Sequence, residues 1–189
     1  MPRMVKTPWS TEEIPFEKAA EIGTKKVIEE HSTIGILVTT DGTITDIPRE
    51  DYIKAEERVV SELKSLHKPF VIVLNSYDPS DSKTRELAEN LSDKYQCSVI
   101  PMNCSNLRID DINSIFSNVL YEFPVERIAI KFPKWIDGLD FNNSLKSELI
   151  SQIKDAFSNV NVLRDVSGCT RNITKTNIIE NASVQDIQL

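Results

Sequence analysis

VIVLNSYDPSD, residues 71 to 81, sets a short apolar run against a turn rich in side-chain acceptors, Asn75-Ser76-Tyr77-Asp78-Pro79. A β-branched run of this length, stopped by turn formers, reads as a strand buried in a sheet. Working outward, SKTRELAENLSDKY (82 to 95) has helical character and CSVIPMN (97 to 103) is a further short strand. Upstream, REDYIKAEERVVSELKSLH (49 to 67) puts Tyr52, Val59, Leu63 and Leu66 on one stripe, with Glu50 and Lys54 outside. TIGILVTT (33 to 40) reads as a strand buried on both faces, and PFEKAAEIGTKKVIEEH (15 to 31) as a helix showing Phe16, Ala20, Gly23 and Val27 on one side. RIDDINSIFSNVLYEF (108 to 123) spaces Ile112, Ile115, Phe116, Val119 and Phe123 as a helix does. Helix and strand alternate with crossovers that suit parallel pairing, so the expected class is α/β, a parallel sheet with helices on both faces.

After Pro124 the pattern changes, and a domain boundary is expected there. ERIAIKFPKW (126 to 135) alternates like a half-exposed strand, NNSLKSELISQIKDAF (142 to 157) is helical, and Ile178 and Ile179 centre a weak strand in a polar remainder. Trp9 and Trp135 read as buried or interface anchors.

Composition narrows the function classes. At 189 residues and 40% hydrophobic, the chain suits one full domain and part of a second. The net charge of −7 is spread along the sequence, and no basic cluster interleaved with aromatics occurs, so no nucleic-acid partner is expected. No window has the roughly 18 apolar residues of a membrane span, and the N-terminus lacks a signal-peptide core, so a cytoplasmic location is expected. Cys97, Cys104 and Cys169 fit neither a disulfide framework nor a zinc site, and His31 and His67 stand alone, so no protein-built metal site is expected.

In an open parallel sheet, ligands gather outside the carboxyl ends of the strands. Three loops lie there: Thr39 to Asp46, Asn75 to Asp81, and Met102 to Arg108. In P-loop GTPases the strand before the second of these ends in N-K-x-D, and a backbone turn flanks the base at the third. Here Ser76 fills the lysine slot, Asn75 and Asp78 keep the flanking positions, and Asn103-Cys104-Ser105 falls where that turn lies. An Asp78 carboxylate facing adenine N1 would set acceptor against acceptor, so with ATP it must turn aside, for instance into an Asx turn. NSYDPS also reads simply as a turn-forming loop, and both readings stand. Thr39, Thr40 and Asp41 could approach phosphate or Mg²⁺ from the first loop, though an Asp-Gly turn is the simpler explanation and they stand as weak candidates. No G-x-x-x-x-G-K-[ST] occurs, and five glycines give no material for a phosphate cradle.

The runs PRMVKTPW, IPFEKAAEIGTKKVI, HSTIGILVTTDGTITDIPREDYIKAEERVV, KPFVIVLNSYDP, VIPMNC, FPKWIDGLD and LRDVSGCTRNITKTNIIENASVQDIQL resemble the stage IV sporulation protein A family. These are ATP-hydrolysing morphogenetic proteins on which endospore-forming bacteria build the spore coat, and the resemblance covers essentially the whole chain. It implies a translation-factor-like P-loop NTPase whose C-terminal half spans 1–124, then the beginning of an α+β middle domain at 125–189. On this reading the chain is a fragment lacking the phosphate-binding loop and the Mg²⁺-holding acid, inactive alone, and poorly soluble through an unpaired strand edge. Asn75, Ser76, Asp78, Asn103 and Cys104 become candidates for the base pocket, with Thr39, Thr40 and Asp41 as weaker phosphate-side candidates. The resemblance further implies ATP and Mg²⁺ as cofactors of the full-length protein and polymerisation on the forespore surface, in the mother-cell cytoplasm. Coat proteins and a small amphipathic membrane-anchoring peptide would be its partners. The alternative is a non-catalytic scaffold with a degenerate nucleotide-binding fold; a stand-alone flavodoxin-like domain fits the strand count less well.

Overall fold

The computed structural model describes residues 3–8, 10–173, 179, 182–185 and 187; Trp9 and Ile178 lie outside them. The chain divides into two compact units, residues 1–119 and 120–189.

Unit one is built on a parallel sheet, β3 (Gly35–Thr40), β4 (Phe70–Asn75) and β5 (Val99–Met102), in the order β3-β4-β5. It is preceded by an antiparallel hairpin of β1 (Met4–Thr7) and β2 (Ser10–Pro15), which pairs Val5 with Ile14. Charged residues crowd this hairpin and no Asn-Gly or Asp-Gly marks its turn, so sequence patterning gives it no signature. The helix α1 (Phe16–Lys26) follows directly and closes with a wider-wound turn over Val27–His31. Its inward residue is Ala19, and Phe16 and Val27 face solvent, so the expected stripe is rotated by about one position.

β4 is central, and Val71, Ile72, Val73 and Leu74 are at most 2% exposed. Each such aliphatic side chain contributes about 1.5–3 kcal/mol by leaving water. On one face, Phe70, Ile72, Leu74, Leu37 and Val99 pack with Val60 and Leu63 of α2 (Arg49–Ser65) and with Ala88, Leu91 and Tyr95 of α3 (Ser82–Tyr95). Gly35 lets α2 come close: a Cβ there would stand 3.0 Å from Leu63 Cδ2 and 3.1 Å from Phe70 Cβ. β3 departs from expectation. Its register puts Ile36 beside Val71 and Val38 beside Val73, yet Ile36 and Val38 are 45% and 59% exposed. The reason is position: β3 is the sheet's edge among the described residues, so its apolar run is covered on one face only. The stripe of α2 also differs, because Glu56 is buried within it between Tyr52 and Val60. In α4 (Ile109–Tyr121) Val119 is buried, whereas Ile112 and Phe116 are exposed.

Unit two holds α5 (Lys134–Asp137), α6 (Ser144–Phe157) and α7 (Leu163–Ile173) around Ile136, Leu149, Ile153 and Ile173, with Phe132 and Ile179 at the margin. Asn143 caps α6, its side chain accepting from the amides of Leu145 and Lys146. α7 was not expected, since Gly168, Thr170 and Asn172 are weak helix formers; tertiary packing of Ile173 overrides propensity. Conversely, the strand expected over 126–135 does not form. Residues 126–133 lack regular structure, Ile128 and Ile130 are exposed, and Trp135 is 61% exposed on α5. Alternation marks a strand only where a partner strand completes the ladder, and none stands beside it among the described residues.

Candidate functional site

The carboxyl ends of β3, β4 and β5 bring the three loops together and stitch them by hydrogen bonds. From the first loop, the Asp41 amide donates to the Asn75 carbonyl at 3.3 Å, and from the second the Ser76 amide donates to the Met102 carbonyl at 3.0 Å. Asn75 Oδ1 accepts from the Cys104 amide at 2.9 Å, joining the ends of β4 and β5 through a side chain. Asn103 does two things: its Oδ1 accepts from the Ser105 amide at 3.0 Å, and its Nδ2 donates to the Tyr77 carbonyl at 3.1 Å.

The expected site residues divide by what they face. Ser76 is 1% exposed, and its hydroxyl lies 3.3 Å from Thr84 Oγ1, inside the loop cluster. Tyr77, which sequence reasoning passed over, is 77% exposed. Asp78 closes an Asx turn, Oδ1 accepting from the Ser80 amide at 2.9 Å. The Cys104 thiol is half-buried, and burial pushes its pKa up, which keeps it protonated.

The first loop is occupied internally. Thr39 turns to the packed face, donating to Glu56 Oε2 at 2.6 Å and accepting from Arg49 Nη1 at 3.0 Å. Thr40 Oγ1 accepts from the Gly42 amide at 3.1 Å, where Gly42 takes φ +90 in the turn. Asp41 Oδ1 accepts from the Thr43 amide at 2.9 Å and hydroxyl at 2.6 Å, while Oδ2 accepts from Thr84 Oγ1 at 3.0 Å. Burial raises the Asp41 pKa, but hydrogen bonds from Ser76, Thr43 and Thr84 outweigh it and leave the group below the ordinary aspartate value.

Behind this loop sits a second polar group. Glu56, 3% exposed, accepts from Thr39, from Arg49 Nη2 at 2.8 Å and from the Tyr95 hydroxyl at 2.8 Å. Burial works against its charge, yet Arg49, Thr39 and Tyr95 together lower its pKa. Sequence reading missed Arg49, Thr43, Glu56, Tyr77 and Thr84. The one signal available was an acid on the apolar stripe of α2.

Chemically, the cluster offers amides, hydroxyls and one exposed ring, beside the carboxylates of Asp41, held internally, and Asp78, drawn into its turn, a set suited to binding and orientation. Among the described residues no group of three His, Cys, Asp or Glu is placed to hold a metal, and no helix is long and apolar enough to cross a membrane.

Comparison with known proteins adds identity to this geometry. The family model described as "Stage IV sporulation protein A, ATPase domain" matches residues 1–124, and that of the middle domain of the same protein matches 125–189. The chain is similar to stage IV sporulation protein A of Clostridioides difficile (strain 630), at 44% identity over 99% of this chain and 38% of that protein. It is also similar to that of Bacillus subtilis (strain 168), at 44% over the whole chain, and of Bacillus anthracis, at 42%. The chain thus spans 38% of the length of the curated relatives it matches. No solved structure matches it. With both family models meeting end to end along its length, the chain belongs to the stage IV sporulation protein A family.

Proposed function

We propose that residues 1–124 are the C-terminal half of a P-loop ATPase domain and that the stitched loops are its base side, with 125–189 the beginning of the middle domain. The observation that supports this best is the Asn75 to Cys104 amide bond, which ties the end of one parallel strand to the loop after the next. It holds a rigid floor where an open parallel sheet receives ligands. Asn75, Asn103 and Cys104 build that floor, Ser76 anchors it from beneath, and Asp78 borders it with its carboxylate drawn into a turn. A drawn-back carboxylate leaves adenine unopposed, so ATP is preferred to GTP. Mg²⁺ and the triphosphate would be held by residues that this sequence does not contain, and the 189-residue chain alone is expected not to turn over ATP. In the complete ATPase, hydrolysis would drive polymerisation on the forespore surface as the base layer of the spore coat, in the mother-cell cytoplasm, with coat proteins and a small amphipathic anchoring peptide as partners.

One observation favours a second reading, a non-catalytic scaffold. Thr39, Thr40 and Asp41, the phosphate-side candidates, all spend their side chains on partners within the chain, so none of the three is left for phosphate. A chimera decides between the two: this chain replaces the matching segment of the Bacillus subtilis relative, and phosphate release is measured beside the parent. The ATPase reading expects hydrolysis by the chimera and at least about a tenfold loss on Asn75→Ala. A folded chimera that hydrolyses nothing, beside an active parent, favours the scaffold.

A further inference from the structure

We propose that Asp41, acting through Thr43, is a positioning residue that fixes the peptide group at Tyr77 and so sets the pose of the ligand-facing Tyr77–Asp78 segment. Three observations carry this. First, both Asp41 oxygens are taken by the protein itself: Oδ1 holds the Thr43 amide and hydroxyl at 2.9 and 2.6 Å, and Oδ2 holds Thr84 Oγ1 at 3.0 Å. A carboxylate so committed has little left for an external cation or phosphate-bound metal.

Second, the Thr43 hydroxyl is a relay. Its one proton goes to Asp41, so its lone pair is free to accept, and the Tyr77 amide donates to it at 2.9 Å across 34 residues of sequence. The Tyr77 carbonyl is held from the opposite loop by Asn103 Nδ2 at 3.1 Å. One residue therefore has its amide held by the loop after β3 and its carbonyl by the loop after β5. The residue is nevertheless 77% exposed. An exposed aromatic whose backbone is fixed from both sides is presented at low entropic cost to whatever the loops receive.

Third, Asp41 also secures the far side of the same loop. Thr84, 4% exposed in the first turn of α3, donates to Asp41 and lies within hydrogen-bond distance of Ser76, the residue before Tyr77. A single carboxylate thus holds the segment through its amide by way of Thr43 and through its buried serine by way of Thr84. In nucleotide terms this rests on the function proposed above, whereas the relay itself is a property of the chain.

The first test needs no nucleotide. Amide exchange of the 189-residue chain is followed at Tyr77, with Val71 to Leu74 as internal reference for an intact core. Thr43→Val, which removes the hydroxyl and keeps the branched shape, is expected to speed Tyr77 exchange about tenfold or more, and Thr43→Ser to restore protection to within about threefold. Asp41→Ala should match Thr43→Val. If Asp41→Ala fails to fold, the Val and Ser pair at position 43 still decides. Unchanged Tyr77 exchange in Thr43→Val with a native core overturns the proposal. The second test uses the chimera, reading displacement of a fluorescent ATP analogue by ATP and by GTP. The ATP-to-GTP ratio should shift at least about threefold in Thr43→Val and return in Thr43→Ser. A chimera that binds neither nucleotide defeats the nucleotide reading while the exchange result stands. A chimera that binds ATP with the same ratio in both variants defeats the positioning role at the ligand.

Discussion

Glu56→Ala tests the packing behind the loops. The Glu56 residue is 3% exposed and its carboxylate accepts three hydrogen bonds, from Thr39 Oγ1 at 2.6 Å, Arg49 Nη2 at 2.8 Å and the Tyr95 hydroxyl at 2.8 Å, with Arg49 Nη1 a further ion-pair contact at 2.7 Å. Removing it leaves the Arg49 guanidinium without its counter-charge and two hydroxyls, on Thr39 and Tyr95, without their acceptor. Breaking a buried ion pair from one side costs about 3–5 kcal/mol, and each buried hydroxyl left unsatisfied about 1–3 kcal/mol. These overlap, and the Arg49 side chain, 14% exposed, recovers some water, so a total near the lower figure of about 3–4 kcal/mol is expected. For a unit of 119 residues this lowers the melting temperature by roughly 10–20 °C. Urea unfolding, read out by amide exchange of Val71 to Leu74, measures it. Glu56→Gln, which keeps an acceptor oxygen, should lose less, and Glu56→Met with Arg49→Met should cost less than the two single changes added. The pH dependence has a definite sign. The folded pKa lies below the ordinary glutamate value, so the contribution is full above about pH 4.3 and is lost as pH falls through the folded pKa; Glu56→Gln removes that acid sensitivity. A Glu56→Ala chain within about 1 kcal/mol of wild type would refute the reasoning, since no dry, paired carboxylate could be so dispensable.

Three further outcomes follow from packing. Leu74→Ala, at a fully buried position of β4, should cost about 2–5 kcal/mol by urea unfolding. Gly35→Ala should cost about 1–3 kcal/mol by the same method, because the new methyl meets Leu63 at 3.0 Å and Phe70 at 3.1 Å. Val38→Lys, on the uncovered face of the edge strand, should raise the concentration at which the 189-residue chain stays monomeric in light scattering, while stability moves by no more than about 0.5 kcal/mol.

The sheet was legible in the sequence because β4 carries five apolar residues in a row and its neighbours repeat the strand and helix alternation. Periodicity reports burial, and it failed where burial is decided by neighbours out of view. The run GILVTT, with Ile36, Leu37 and Val38 in a row, also reads as a buried strand, yet an edge position leaves Ile36 and Val38 uncovered. The alternating segment 126–135 has strand chemistry but no ladder to join among the described residues, while α7 forms through weak helix formers because Ile173 closes a core. At the site, the three loops could be located from strand ends alone, and the Asx turn at Asp78 follows from Asp-Pro-Ser. The direction of a side chain could not: whether Thr39 faces α2 or the loop mouth depends on one step of strand register, and that step gives it to Glu56. Long-range pairs such as Thr43 with Tyr77 leave no trace in local spacing.

The carboxyl-end loops are proposed to form the base side of an ATP site. Photo-labelling tests it most directly, with an azido-adenine analogue of ATP bound to the chimera and the modified peptides identified by mass spectrometry. Label is expected within Asn75 to Asp81 and Met102 to Arg108, suppressed by excess ATP. Saturable label that falls outside both segments, with these two unmodified, would contradict it.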